Sequence, residues 1–326
     1  MPSRDSGGVC TLNDPDDATP IKKMFVLNDG LLLISEKSTY RLQMADQIDP
    51  DRKNPALPPN FQQKLFEYGT NSELLCRTLL QAEVMFRKEF QSVDIDRAMQ
   101  LSFDALGDLV SMHETAQAFK SAEQVAIEKN ERLERQDTSQ TIPSVGNVRS
   151  YCKTFAQKAD HFAFSLLAIV RLFYPEKAKN WDDFYELVKS RFGESDPFYK
   201  MLELTTPCLQ FIRDARNCLE HPHLKGVETR DFELQPDGAI AFPSIEINFK
   251  KSARDRCAIS SFMEETTKEL LVSFEMIIVH MCSKNIQPLG PFSMSIGLLS
   301  EDQRKAWHVR FAYGTYCQDG QFVPCG

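Results

Sequence analysis

The chain is poor in glycine, lacks any closely spaced cysteine pair, and contains no long apolar run. With 14 glycines in 326 residues and no glycine-rich loop, neither a phosphate-cradling P-loop nor a dinucleotide fingerprint can be read from it. Nine cysteines are scattered so that no two lie closer than Cys317 and Cys325, which excludes a CxxC metal or redox pair and a dense disulfide framework. No stretch of about 18 apolar residues is present, so no membrane span is expected. The opening "MPSRDSGGVCTLNDPDDATP" lacks the apolar core of an export signal. A reduced, cytoplasmic protein without a membrane association is the expectation. A surplus of basic charge is also missing. The formal net charge is −8, which argues against a surface that is basic all round. Residues 149–225 nevertheless hold 12 Lys/Arg against 10 Asp/Glu, so the acidic excess lies elsewhere.

At 42% hydrophobic and 26% charged, the chain has ample material for a core, and its length suggests about two domains. Residues 1–20, rich in Asp, Gly and Pro, read as a disordered tail. "MFVLNDGLLLI" sets an Asn-Asp-Gly turn between two apolar runs, a hairpin signal, and "STYRLQMA" adds a third strand. From Phe61 onward the pattern reads as helical, through "LLCRTLLQAEVMF" and "AMQLSFDALGDLV", up to a linker near residue 141. A region of hairpin and helices is thus expected over 21–140.

The second half reads as helices at Val148–Tyr174, at "WDDFYELVKSRF" behind the cap Asn180, and from the cap Asp196 with Pro197 in the first turn. Pro207 is expected to interrupt that third helix, with Thr206 capping the part that follows. Two strand-like runs flank Pro236-Asp237-Gly238, a final helix runs from about Cys257 to Asn285, and residues 287–326 read as a tail carrying a β-hairpin. The two terminal hairpins could share one small sheet. A mainly α protein is expected, with a helical domain over 145–286 and short β-hairpins outside it.

The stretch that bears on chemistry is "FIRDARNCLEHPH", residues 211–223. At about 100° per residue, Phe211, Ile212, Ala215, Cys218 and Leu219 fall on one face of a helix. Arg213, Arg216, Asn217, Glu220 and His221 fall on the other, with Leu209 as the apolar exception. Arginine grips a phosphate through paired charge-assisted bonds, and histidine exchanges protons near neutrality. Together they suit cleavage of an RNA phosphodiester by its own 2′-OH, with no metal and no cofactor. The plain alternative is a solvated helix face ended by Pro222, with cations favoured by the helix C-terminus.

"RNCLEHP" resembles the signature of the HEPN superfamily, an arginine, four to six arbitrary residues and a histidine, with a polar residue often following the arginine. The resemblance spans about residues 145–286 and treats the hairpin before the last helix as an insertion. It implies a compact helical bundle that forms a homodimer with the two motifs facing each other. It implies a metal-independent endoribonuclease of toxin, defence or RNA-processing systems, or else an inactive relative serving as an interaction or scaffold module with a protein partner. Under it, Arg216 would hold phosphate, His221 would act as acid and base, and Asn217 would support them. Arg213, His223 and the basic run Lys250, Lys251, Arg254 and Arg256 are the candidates for contacting RNA; a solvated loop is the competing reading for that run. His161 reads as a packing residue. His113 in "MHETAQ" lacks the second histidine of a zinc motif, so no metal is assigned.

Overall fold

The computed structural model describes residues 12, 14–28, 30–132, 141–175, 177–250, 252–290, 293–317 and 319–325. The chain divides into two compact units, residues 1–103 with 282–326, and residues 104–281. It is about half helical and carries several small antiparallel sheets, so it is a mixed α and β protein rather than the mainly α one expected. No helix among the described residues is long and apolar enough to cross a membrane.

In the first unit, β1 (Lys23–Leu27), β2 (Gly30–Ile34), β3 (Thr39–Met44) and β4 (Asn60–Phe66) form one antiparallel sheet in that order. The first hairpin, β1 with β2, turns where expected, with Asp29 outside the described residues. Leu27 pairs Gly30, and Asn28 takes a φ of 52°, which asparagine tolerates better than most residues. A helical turn, α1 (Ala45–Ile48), follows β3. The segment from Phe61 is a strand, not a helix. Its backbone is claimed by β3, with Gln62 opposite Leu42, and this overrides the helical spacing of its apolar residues. Helix α2 (Glu73–Leu75) continues through a π-helical stretch, Cys76–Leu80, into α3 (Gln81–Met85).

Residues 14–20 were expected to be part of a disordered tail, but they pack on this sheet. Leu12 and Ile21 lie against Leu33, Tyr40 and Leu42. The carboxylate of Asp17 is buried and accepts bonds from the hydroxyls of Ser35, Thr19 and Tyr40. Burial works against the charged form, but the bonds from Ser35, Thr19 and Tyr40 outweigh it and hold the carboxyl down to about 2.

The second unit begins within α4 (Ile95–Glu131) and continues with α5 (Val148–Phe173), α6 (Trp181–Phe192) and α7 (Pro197–Glu220). Helix α5 buries Cys152, Phe155, Ala159, Phe162, Leu166 and Val170, the spacing of one helical face. Asn180 caps α6 through the Asp183 amide at 2.8 Å, and Asp196 caps α7 through the Phe198 amide at 2.8 Å. Helix α7 runs unbroken through Pro207. A proline inside a helix costs about 3 kcal/mol, and burial of Leu202, Leu209 and Ile212 on either side of it offsets that. Thr206 is buried and caps nothing; its hydroxyl oxygen has no partner.

After α7 come β5 (Val227–Arg230), β6 (Glu233–Leu234), β7 (Ile240–Ala241), β8 (Ser244–Phe249), β9 (Ser252–Ala258) and α8 (Ile259–Lys284). The Pro-Asp-Gly turn joins β6 to β7 as expected, and β5 pairs β8. The part of the basic run from Ser252, for which a solvated loop was the competing reading, is instead the strand β9, bonded along β8. Asp231 ties this insertion to the start of α5, accepting from the Ser144 hydroxyl at 2.7 Å and the amides of Val145 and Gly146.

Ring contacts set the helix directions. Phe155 meets Phe262 and Phe162 meets Phe274, so α5 and α8 run parallel. Phe211 meets Phe262 and Phe198 meets His280, so α7 is antiparallel to α8. Phe119 against Tyr151 and Asp108 with Lys158 place α4 antiparallel to α5.

The chain then returns to the first unit with β10 (Ser295–Leu298), α9 (Glu301–Trp307), β11 (Phe311–Tyr316) and β12 (Phe322–Pro324). These strands form a sheet of their own and do not share one with β1–β4. Buried Gln81 explains the separation: its amide donates to the Phe311 carbonyl at 2.9 Å and accepts from the amides of Arg310 and Phe311 at 3.0 Å, so β11 is bonded to α3. The Tyr313 hydroxyl, donating to the Met85 carbonyl at 2.7 Å and stacked on Phe90, completes the attachment.

Asp17→Asn should lower stability by roughly 1–3 kcal/mol at pH 7. Because the folded carboxyl titrates below its unfolded value of about 4, its contribution is whole above that pH and fades as pH falls toward about 2. Urea unfolding of both proteins between pH 7 and pH 2.5 should show the gap closing with acid.

Candidate functional site

Helix α7 ends at Glu220, and the last carbonyls of a helix have no partner within it. Arg149, from the first turn of α5, supplies one, donating to the carbonyls of Cys218 at 3.2 Å and Leu219 at 3.1 Å. A guanidinium at a helix C-terminus is also favoured by the helix dipole. Beneath it, Cys218 and Leu219 are buried. Gly226 lets the chain return tightly after the turn; a Cβ there would lie 2.7 Å from the Cys218 sulfur and 2.9 Å from the Phe249 Cβ.

The motif residues split between two sides of α7. Arg216 turns toward α5. Its Nε lies 2.9 Å from Glu220 Oε2 and 3.8 Å from Asp160 Oδ2, and its Nη1 donates to the Asn217 side-chain oxygen at 3.1 Å. Glu220 also accepts from the Gln157 amide. That bond, assisted by the charge of Arg216, holds the Glu220 carboxyl below the usual glutamate range. His221 leaves the helix, its amide donating to the Asn217 carbonyl at 2.9 Å. Its exposed ring stands 5.7 Å from that of His223. The sequence expectation that Arg216 and His221 reach together for one anion is therefore not what the side chains do, because two carboxylates already surround the arginine.

Arg213 and Asn217 face the other way, into a groove of about 1140 Å³ between α7, α8 and β9. Arg213 is exposed and makes no ion pair among the described residues. The basic run reaches this region only in part. Lys250, in a left-handed turn with φ 53°, places its ammonium 3.6 Å from Asp214 and 4.7 Å from the Phe249 ring centre. Arg254 pairs with Glu265 and lies 5.4 Å from the Phe262 ring centre. Arg256 pairs with Glu233 and donates to the Ser244 hydroxyl at 2.8 Å. Lys251 lies outside the described residues. The expected patch of free cations is thus mostly spent on internal pairs, with carboxylates from α7, α8 and β6 that lie away from the run in sequence.

Several residues here carry no motif. Arg149, Gln157 and Asp160 are polar positions on a largely apolar helix, and that contrast was the one available signal. In the groove, Asp214 accepts from the Ser252 hydroxyl at 2.8 Å, and Glu269 accepts from the Cys208 thiol at 3.3 Å. Burial, with Glu269 beside it, pushes the Cys208 thiol up to about 12, so it stays protonated and is a poor nucleophile. His161, read as a packing residue, is exposed on α5. No cluster of three or more His, Cys, Asp or Glu suited to a metal ion occurs among the described residues. No protein-family model, curated protein or solved structure matches the chain.

Arg149→Ala should fray the last turn of α7 while leaving the remainder folded, at a cost of about 1–2 kcal/mol. Amide hydrogen exchange should speed up from Leu219 to His221 and stay near wild type in α6; unchanged protection of that turn would refute the capping role.

Proposed function

We propose that the protein is a non-catalytic interaction module of HEPN-like type, whose recognition surface is the polar face of α7. The observation that carries this reading is the charge around Arg216. With Glu220 and Asp160 both within 4 Å, the charge of Arg216 is already countered by carboxylates of its own fold, which weakens its hold on an entering phosphate. Asn217, the supporting polar residue under the resemblance, is occupied by the same arginine. The order of α5, α6, α7 and α8, with the motif at the end of the third and a β insertion before the fourth, supports the family assignment.

One observation favours a second reading, the metal-independent endoribonuclease. His221 and His223 stand exposed and adjacent just past the helix end, accessible to a substrate. The RNA partner belongs to that reading, on the arginine and histidine chemistry and the resemblance; the homodimer is what the resemblance implies for either reading. A cytoplasmic location is supported by the cysteines, since all eight described ones are free thiols.

The deciding measurement is cleavage of a mixed single-stranded RNA pool, with EDTA present, by wild type, Arg216→Ala and His221→Ala. The module reading expects no products with cyclic phosphate ends, or equal background from all three. Cleavage by wild type that falls roughly 10²–10⁴-fold in His221→Ala would instead establish the nuclease.

A further inference from the structure

The groove beside α7 differs in character along its length. At one end Leu204 is 80% exposed and Val272 41% exposed, two apolar side chains left in water on facing helices, with Pro207 and Phe211 continuing the apolar strip. At the other end lie Arg213, Asn217 and Lys250. Asn217 turns its oxygen to Arg216, which leaves its amide hydrogens for the groove. Lys250 shares Asp214 only at 3.6 Å, while Asp214 is already bonded by Ser252. Arg213 is the lining cation with no ion pair among the described residues, whereas Arg254 and Lys268 are held by Glu265 and Glu264. Between the ends the wall carries Glu269 and Asp182, engaged with Cys208 and Gln210.

We propose that this groove binds an extended peptide segment of a protein partner that carries an acidic residue at one end and apolar residues at the other. The inference rests on the module reading and specifies its ligand. From Leu204 to Asn217 α7 advances about 20 Å, the span of about six residues of extended chain. The acidic residue meets Arg213 and Lys250 and accepts from the Asn217 amide; the apolar residues cover Leu204, Pro207 and Val272. Charge complementarity selects this occupant over a nucleic acid. A polyphosphate lying along the groove would pass Glu269 and Asp182 in the middle of its path, whereas a peptide carries its negative charge at one point only.

The test is selection of a displayed random hexapeptide library on the full chain, with labelled oligouridine as a separate probe. Wild type should enrich peptides with Asp or Glu at one end and Leu, Phe, Ile or Met at the other. Arg213→Glu should reverse the charge preferred at that end and weaken the wild-type winners at least about tenfold. Leu204→Glu should remove the apolar preference; its side chain is mostly in water, so the fold should survive, which circular dichroism would verify. No enrichment, enrichment without an acidic end, or an acidic preference that persists in Arg213→Glu would overturn the proposal. Oligouridine bound through Arg213 and displacing the selected peptides would also overturn it, in favour of nucleic acid. RNA cleavage in the earlier assay would undo the module reading without altering these selections, so the two failures are distinguishable.

Discussion

The C-terminal turn of α7 has to satisfy its free carbonyls while carrying arginine, asparagine and glutamate on neighbouring positions, and that constraint organises the second unit. Arg149 takes the carbonyls of Cys218 and Leu219, which fixes where α5 begins against α7. With α5 so placed, Gln157 and Asp160 face the end of α7, and the Arg216–Glu220 pair is completed from across the interface. Being partly exposed, each such pair is worth at most about 1 kcal/mol. Their larger effect is on direction: they draw Arg216 to one side of the helix and leave Arg213 and Asn217 to the other.

This division shapes the chemistry. A guanidinium between two carboxylates is held by the fold, whereas one facing an open groove without an ion pair among the described residues has the character that the proposed peptide site requires. The two arginines lie three residues apart on one helix and are alike in sequence; their neighbours assign them different work. The histidines past the helix end keep the exposure that proton exchange would need, but the phosphate anchor expected beside them is engaged elsewhere. The half-buried thiol of Cys208 is likewise kept inert by its surroundings, since partial burial beside Glu269 holds it protonated.

The first unit solves a separate problem with the same means. Buried side-chain bonds attach β11 to the helix α3 and the segment around Asp17 to the sheet β1–β4. Gln81 satisfies three backbone groups of β11, and Asp17 gathers three hydroxyls from the segments around it. Leaving such groups unpaired in the interior would cost about 1–3 kcal/mol each, so the polar side chains constrain the packing more tightly than their number suggests.

Local chemistry was legible in the sequence because it acts over a few residues. The caps Asn180 and Asp196, the turns at Asn28 and Gly238, and the buried spacing of α5 each depend on neighbours within one or two turns, and each appears where its residues imply. What failed depends on distant partners. Phe61–Phe66 became a strand because β3 offered it hydrogen bonds, Pro207 failed to break α7 because both flanks were buried, and Arg254 and Arg256 lie on β9 because β8 lay beside it. The sequence by itself determined which faces of α7 are apolar and polar, since that follows from a period of 3.6 residues. Only the tertiary structure decided which arginine is neutralised and which has no ion pair among the described residues, because Asp160, Gln157 and Ser252 lie dozens of residues away and act through space, where linear spacing carries no information.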